Sequence, residues 1–248
     1  MNKVLLITGA SGGIGKATAI KAAKKGYHVC VHYHKNKPTA DEIVKQIRDE
    51  GGLAIAVPAD ISNEEEVKKL FSIIDEKIGT ITALVNNAAI LGLQMKVINM
   101  TAERIQQTFA TNVLGSILCA REAVKRMSVS NGGNGGSIVN VSSKAAVRGS
   151  PGEFVDYAAS KGAIDTFTIG LAKEVADDGI RVNAVRPGVI DTEIHAKGGD
   201  PGRVHRMKDS IPMKRAGSVD EVADSILWLL SDEASYVTAT ILDVTGGR

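Results

Sequence analysis

The regular alternation of two kinds of segment is the feature of this sequence that most restricts its fold. Short runs rich in β-branched residues are followed by longer segments with helical periodicity. The predicted strands read KVLLIT, YHVCVHY, LAIAVPAD, TALVNN, SIVNVSS, GIRVNAVRPG and TILDV. The predicted helices cover residues 14–26, 39–50, 64–78, 101–127, 157–177 and 219–230. Such alternation predicts an α/β fold, with one doubly wound parallel sheet of about seven strands and helices on both faces.

Length and charge restrict the class of protein further. With 248 residues and 44% hydrophobic content, the chain can bury a full core, and we expect a single domain over residues 1–248. Thirty basic and 28 acidic residues give a formal net charge of +2, which does not indicate a nucleic-acid partner. No run of about 18 apolar residues occurs, so we expect no membrane-spanning segment.

Cysteine and histidine usage points to a reducing compartment. Cys30 and Cys119 do not have the spacing of a disulfide framework or of a metal site, and the five histidines are scattered. We therefore expect a cytoplasmic protein with no bound metal.

A glycine-rich loop, TGASGGIG, joins the first predicted strand to the first predicted helix. Gly9, Gly13 and Gly15 permit a tight turn and a close approach of a pyrophosphate, while free N–H groups at the helix start bind its charge. In this position the loop predicts a Rossmann-type dinucleotide site, with a tight packing turn as the alternative.

The stretch DYAASKGA places Tyr157 and Lys161 four residues apart. On a helix this spacing puts both side chains on one face, with Cβ atoms about 5–6 Å apart. A nearby cation lowers the pKa of a phenol, so the pair is a candidate acid/base group. Lowering the pKa to working pH requires a second positive charge or partial burial. A solvated helix face is the alternative.

Together the motifs of this chain resemble the short-chain dehydrogenase/reductase family over essentially the whole sequence. They are TGASGGIG, NNAA at 86–89, Asn112, the pair Ser142 and Ser143, YAASK, and RPG at 186–188. Within the family the chain is most similar to bacterial 3-oxoacyl-carrier-protein reductases and glucose 1-dehydrogenase-like enzymes. The resemblance implies an NAD(P)-dependent oxidoreductase that transfers hydride between a nicotinamide cofactor and an alcohol or carbonyl substrate.

The resemblance also implies a role for each matching catalytic residue. Tyr157 matches the general acid/base, and Lys161 matches the residue that assists it and holds the nicotinamide ribose. Asn112 matches the residue that maintains a proton relay, and Ser143 the hydroxyl that orients the carbonyl. An oxidised nicotinamide ring would supply the second cation that Tyr157 requires.

Further positions match the family's cofactor contacts. Asp60 and Ile61 match adenine contacts, Asn87 and Ala88 the strand end beside the cofactor, and Ile190 and Thr192 contacts to the nicotinamide carboxamide. Asp60 as a turn cap and Thr192 as an ordinary loop residue are the alternatives. The full expected set is Gly9, Ser11, Gly13, Ile14, Gly15, Lys35, Asp60, Ile61, Asn87, Ala88, Tyr157, Lys161, Ile190 and Thr192.

The choice of cofactor depends on the end of the second strand. Residues 32–36 read HYHKN and include Lys35 but no acidic residue. A basic residue attracts a 2′-phosphate, whereas an acidic one repels it and binds the ribose hydroxyls. We predict that NADP(H) is preferred and that NAD(H) is possible.

The sequence departs from the family pattern in three places. Ala89 stands where the family usually has glycine, so we expect it to take the backbone conformation of that glycine. Ser143 and Tyr157 are one position farther apart than is common, which leaves Ser142 as a rival catalytic hydroxyl. Gly12 stands where many phosphate-reading members have arginine.

Residues 193–213 are predicted to form a substrate lid, because the segment HAKGGDPGRVHRMKDSIP interrupts the alternation with Gly, Pro and charge. An ordinary surface insertion is the alternative. The family commonly forms tetramers through helices like those at 101–127 and 157–177, so we expect a homotetramer. A catalytically silent NAD(P)-binding regulatory protein is the alternative function.

Overall fold

The computed structural model of the chain describes residues 3–192 and 198–248. Within them a seven-stranded sheet has the order β3-β2-β1-β4-β5-β6-β7, and every neighbouring pair of strands is parallel. The strands are β1 Lys3–Ile7, β2 Tyr27–Tyr33, β3 Ala54–Pro58, β4 Ala83–Asn86, β5 Gly136–Val141, β6 Ile180–Pro187 and β7 Ile241–Val244. The predicted doubly wound, Rossmann-type α/β fold is confirmed.

Helices connect the strands on both faces of the sheet. They are α1 Gly13–Lys24, α2 Lys37–Asp49, α3 Glu64–Lys77, α4 Ala102–Phe109, α5 Ser116–Met127, α6 Ala145–Arg148, α7 Val155–Glu174, α8 Arg203–Met207 and α9 Val219–Leu230. The six predicted helical segments are present, with ends that shift by a few residues. The short helix α6 was not predicted, because its few residues carry no periodicity.

The core consists of two apolar layers, one on each face of the sheet. Leu5 and Ile7 of β1 face the layer that α1, α2 and α9 cover. Val4 and Leu6 face the layer that α3, α5 and the end of α7 cover. Since successive side chains of a strand point to opposite faces, a strand buried on both sides is apolar along its buried length, as β1 is from Val4 to Ile7.

A π-helical turn at Ala110–Gly115 interrupts the predicted helix 101–127 and separates α4 from α5. Its last residue lies against the loop after β3, since a Cβ on Gly115 would lie 2.7 Å from Ile61 Cδ1. Such turns insert an extra residue into a helix and occur often at functional sites. Here the turn holds Asn112, which is fully buried.

Among the described helices none has the length and apolar character needed to cross a membrane.

Candidate active site

The site lies at the carboxyl ends of the strands, where the strand order changes direction. β1 has β2 on one side and β4 on the other, so the chain leaving β1 and the chain leaving β4 emerge side by side. Open parallel sheets bind their ligands in the crevice at this point. The glycine loop follows β1 here, and Asn87 follows β4.

Two glycines of the loop lie so close to other backbone that no side chain fits. Gly9 has a φ of +63°, and a Cβ there would lie 2.9 Å from Ala88 Cα. A Cβ on Gly15 would lie 2.6 Å from both Asn87 Nδ2 and Gly9 O. Asn87 Nδ2 also donates to the carbonyl oxygens of Thr8 at 2.9 Å and of Gly9 at 3.0 Å. The loop therefore has the close backbone packing that a pyrophosphate site needs.

The start of α1 is open, unlike the starts of α3 and α9. The side chains of Asn63 and Ser218 accept hydrogen bonds from backbone N–H groups at the starts of α3 and α9. The N-cap of α1 is Gly12, which provides no side-chain cap, and a Cβ on it would have nothing within 4 Å. Free N–H groups and open space at a helix start fit the pyrophosphate of a dinucleotide.

His32, a residue to which the sequence gave no role, connects the glycine loop to the neighbouring strands. Its Nδ1 accepts a hydrogen bond from Gly9 N at 3.0 Å, and its Nε2 lies 3.0 Å from Ala59 O. These two bonds require a neutral imidazole with the proton on Nε2. Burial lowers the pKa of His32 to about 4, so this form persists at neutral pH.

A cavity of about 480 Å³ lies next to the glycine loop. It brings together predicted residues from five segments of the sequence. Those that line it are Ile14, Asn87, Ser143, Tyr157, Lys161, Ile190 and Thr192. Thr192 reaches the glycine loop, since its Cγ2 would lie 3.9 Å from a Cβ on Gly13.

Tyr157 and Lys161 share one face of α7, as the spacing predicted. Lys161 Nζ lies 5.7 Å from the centre of the Tyr157 ring and donates to Val141 O at 2.8 Å. In the chain alone, burial raises the pKa of Tyr157 to about 12, so Lys161 by itself does not lower it to working pH. Burial also lowers the pKa of Lys161 to about 8, which the nearby Asp165 opposes. The desolvation of both groups outweighs the charge of the lysine.

The two candidate serines have different environments. Ser142 is buried, and its hydroxyl donates to the Lys161 carbonyl at 3.2 Å. The Ser143 hydroxyl lies near the Tyr157 phenol, where its hydrogen bonding opposes the effect of burial on the phenol pKa. Ser143 Oγ also accepts from Ala145 N at 3.1 Å. Of the two, Ser143 is in position to contact a bound carbonyl group.

Asn112 connects α7, the helix of Tyr157 and Lys161, to the loop after β4. Its Nδ2 donates to Ser160 Oγ at 3.0 Å and to Ile90 O at 3.1 Å, while its Oδ1 accepts from Ile90 N at 2.8 Å. With both ends of the amide occupied, the side chain keeps the loop beside Tyr157 in place. Its backbone carbonyl accepts from the Ser116 hydroxyl at 3.0 Å.

Comparison with known proteins identifies the family. The family model described as enoyl-(acyl carrier protein) reductase matches residues 9–248. Glucose 1-dehydrogenase 2 of Bacillus subtilis is 39% identical over 99% of this chain and 94% of its own. The chain belongs to the short-chain dehydrogenase/reductase family. It is accordingly an NAD(P)-dependent oxidoreductase that acts on CH–OH or C=O groups.

Two further members of the short-chain dehydrogenase/reductase family are similar to the chain over nearly its whole length. The uncharacterized oxidoreductase YgfF of Escherichia coli is 57% identical and covers 99% of both chains. The crystal structure of 3-ketoacyl-(acyl-carrier-protein) reductase from Brucella melitensis complexed with NADH is 33% identical, with a TM-score of 0.91. It covers 99% of this chain and 98% of its own.

The predicted adenine contacts of this dehydrogenase lie at the other end of the crevice. Lys35 is exposed after β2. Asp60 has a lowered pKa: burial acts to raise it, but hydrogen bonds from Ser62 and the charges of His34 and Lys35 outweigh burial. Its Oδ1 accepts a hydrogen bond from Ser62 N at 2.9 Å. Asp60 therefore caps a turn, which was the alternative to an adenine contact. Ile61 is buried against the π-helical turn.

Three other sequence expectations have structural outcomes. Ala89 has an ordinary backbone, since the described non-glycine residues with positive φ are Ser150, Lys214 and Ala239. Ser11 lies half-buried in the glycine loop. Of the predicted lid at 193–213, residues 193–197 lie outside the described residues, and the rest contains α8 and a short turn at Lys208–Ser210. In residues 3–192 and 198–248 no group of three or more His, Cys, Asp or Glu side chains could hold a metal ion.

An ion pair that the sequence did not predict fixes the start of α7. Arg104 of α4 donates to both oxygens of Asp156, at 2.7 and 3.2 Å, and to Leu93 O at 2.6 Å. Asp156 precedes Tyr157 and is buried. A bidentate pair in this place orients the first turn of α7. The acidic residue next to Tyr157 was visible in the sequence, but its partner, 52 positions away, was not.

Proposed function

We propose that this short-chain dehydrogenase/reductase reduces or forms a carbonyl group, with Tyr157 as the general acid/base. The observation that carries the proposal is one cavity lined by Tyr157, Ser143 and Lys161 beside an open helix start and a close-packed glycine loop. The first group of residues fits proton transfer, and the second fits a dinucleotide.

The bound nicotinamide cofactor supplies or accepts the hydride. In the reductive direction, negative charge develops on the substrate oxygen, which Tyr157 Oη protonates while the Ser143 hydroxyl donates a hydrogen bond to it. A phenol whose pKa is about 12 is fully protonated at neutral pH and ready to act as the acid. In the oxidative direction, Tyr157 takes the proton back, and the positive charge of Lys161 stabilises the phenolate.

Lys161 and Asn112 support this step in different ways. Because the pKa of Lys161 is about 8, its side chain is mostly protonated at neutral pH. Its hydrogen bond to Val141 O directs the ammonium along the cavity floor, where it is placed to hold the ribose hydroxyls of the cofactor. Asn112 keeps the loop after β4 against α7.

We further propose that NADPH is preferred to NADH. The charges of His34 and Lys35 both lower the pKa of Asp60, so two basic side chains lie near this residue. Asp60 is at the proposed adenosine end of the crevice. A basic side chain there attracts a 2′-phosphate. The Brucella melitensis structure contains NADH, so NADH is compatible with this fold and is the alternative cofactor.

The remaining parts of the proposal concern the setting of the enzyme. We propose a homotetramer, a cytoplasmic location, a small alcohol or carbonyl substrate, and residues 193–213 as the lid over the cavity. Exposed apolar side chains on α4 and α7, Ile105 and Ile169, are available for subunit contacts. Cys30 and Cys119 are buried free thiols, which is compatible with a reducing compartment.

Turnover by wild-type protein and by Tyr157→Phe tests the proposed function. Purified protein is titrated with NADPH and NADH by fluorescence. The preferred cofactor is then offered with aldehydes, ketones and 3-oxoacyl thioesters, or in oxidised form with sugars and secondary alcohols. We expect Tyr157→Phe to lower kcat by about 10²- to 10⁴-fold, the usual contribution of a general acid, while cofactor binding persists.

The matched control is Tyr236→Phe, which removes a hydroxyl from a fully exposed tyrosine and should leave kcat unchanged. Full turnover by Tyr157→Phe would rule out the proton-transfer role. Tight cofactor binding without turnover of any substrate would instead favour the regulatory alternative.

A further inference from the structure

The substrate end of the cavity has an excess of positive charge that neither the proposed proton transfer nor cofactor binding uses. Arg148, Arg203 and Arg248 all line the cavity that contains Tyr157. Among its described lining residues, Glu153 is the one carboxylate. Arg148 belongs to α6, Arg203 belongs to α8, and Arg248 is the last residue of the chain. None of the three belongs to the glycine loop.

Arg203 is a fixed part of the cavity wall. Its Nη2 donates to Glu153 Oε2 at 2.8 Å, and its guanidinium lies 5.6 Å from the centre of the Phe154 ring. Its Nη1 is buried without a hydrogen-bond partner and lies 3.7 Å from Asp200 Oδ2. Glu153 is therefore held by Arg203, and although its charge also acts on Arg248, one carboxylate faces three guanidinium groups.

Arg248 and Arg148 have no such partner. In the described part of the chain no side-chain carboxylate lies within 4 Å of either guanidinium, and Arg248 Nη1 lies 3.6 Å from the sulfur of Met207. The pKa of Arg248 is lowered, first by burial and then by the charges of Arg148 and Arg203. Arg148 and Arg203 are thus each close enough to Arg248 to repel its charge, and an anion bound at Arg248 would relieve that repulsion.

We infer that the substrate carries an anionic group, a carboxylate or a phosphate, which binds at Arg248 and Arg148 while its carbonyl lies at Ser143 and Tyr157. Guanidinium groups bind both kinds of anion through paired hydrogen bonds. The inference rests on the proposed function of the same cavity.

The phosphates of the cofactor do not explain these arginines. The pyrophosphate fits the start of α1, and a 2′-phosphate fits the end of β2 near Lys35, both away from α6 and α8. Lys144, which also lines the cavity, is paired with Asp243. The unpaired charge therefore lies where the substrate, and not the cofactor, has its non-reacting part.

Matched pairs of substrates test the inference. We compare 3-oxobutanoate and 4-oxopentanoate with their methyl esters, and glyceraldehyde 3-phosphate with glyceraldehyde, each with NADPH. In at least one pair we expect kcat/KM to be about 10- to 100-fold higher for the anion, the range of a charge-assisted hydrogen bond. Arg248→Gln should abolish this preference, and Arg148→Gln should reduce it less, because Arg148 is exposed.

Lys208→Gln is the control, because it removes a positive charge from the lid segment at a residue that does not line the cavity. It should leave the anion preference intact. A preference for the phosphate over the carboxylates identifies the group as phosphate, and the reverse identifies it as carboxylate.

A binding measurement separates this inference from the proposed function. Succinate has no ketone, and calorimetry measures its binding to the protein–NADPH complex whether or not any substrate turns over. We expect binding by the wild type and its loss in Arg248→Gln. Turnover of neutral carbonyl compounds with no anion preference would overturn the inference alone. So would an Arg248→Gln variant that binds NADPH more weakly but keeps its preference for anions.

Discussion

The two sides of the crevice bind by different means. On the cofactor side, Gly9 and Gly15 let backbone atoms approach one another within van der Waals contact, and the start of α1 offers backbone N–H groups. On the substrate side, side-chain charges from three separate segments line the cavity. Backbone geometry suits a ligand that all members of a family share, whereas side-chain charge suits a substrate that differs from one member to the next.

The largest expected effect is on the cofactor side, where one added methyl group should lower both the stability of the protein and its affinity for NADPH. Gly15→Ala places a Cβ 2.6 Å from Gly9 O and 2.9 Å from Ala10 Cα, both backbone atoms that cannot move aside cheaply. We expect a loss of about 3 kcal/mol in the free energy of unfolding, at the upper end of the usual cost of overpacking, and a large loss of NADPH affinity. Urea denaturation and fluorescence titration measure the two effects.

Gly12→Ala is the matched control for Gly15→Ala. It adds the same methyl group at the same helix end, where a Cβ has nothing within 4 Å. Only the weaker N-cap preference of alanine should matter, at about 0.5 kcal/mol. Equal losses of stability in the two variants would show that close backbone packing does not define this side of the crevice.

The glycine loop should also make the stability of the protein depend on pH in the acidic range, through His32. His32 has a pKa of about 4 in the folded chain, below its ordinary value of 6.5. Since the unfolded chain binds a proton between these values, the stability that neutral His32 contributes is complete above pH 6.5 and is lost as the pH falls towards 4. The total is about 3 kcal/mol, of which about 2 kcal/mol is lost by pH 5.

Urea denaturation at pH 7 and pH 5 measures this difference in stability. His32→Asn removes the titrating group but keeps an oxygen able to accept from Gly9 N, so its stability should change much less between the two pH values. His205→Asn changes an exposed histidine of α8 and should behave as the wild type. A wild-type stability that is the same at both pH values would contradict the assignment of His32 as a buried neutral group.

The sequence predicted the cofactor side better than the substrate side, for a physical reason. The glycine loop and the Tyr157–Lys161 pair depend on residues near one another in the chain, so spacing reveals them. The bond from Gly9 N to His32 depends on the pairing of β1 with β2, and the Arg104–Asp156 pair on the packing of α4 against α7. Arg248 and Arg203 meet only after the sheet has formed, and no local pattern marks such contacts.

The pKa of Tyr157 illustrates a second limit of sequence reasoning. The spacing placed Lys161 correctly, but the sign of the pKa shift depends on burial, which raises the phenol pKa to about 12. Ala89 shows the same limit for the backbone. The substitution of alanine for glycine looked unfavourable, yet Ala89 is not among the described residues with a positive φ.

The smallest expected effect is at Lys35, where the charge of an exposed side chain acts on the adenosine end of the cofactor. Lys35 is exposed, so its attraction for a 2′-phosphate is screened by solvent. We expect Lys35→Gln to lower the ratio of kcat/KM for NADPH over NADH by about 3-fold, which corresponds to less than 1 kcal/mol. Lys45→Gln, on an exposed lysine of α2 that pairs with Asp49, should leave the ratio unchanged. If Lys35→Gln leaves the ratio unchanged and NADH is the better cofactor of the wild type, the preference for NADPH is wrong. The cofactor side would then select its ligand through backbone contacts alone, and the contrast between the two sides of the crevice would be sharper still.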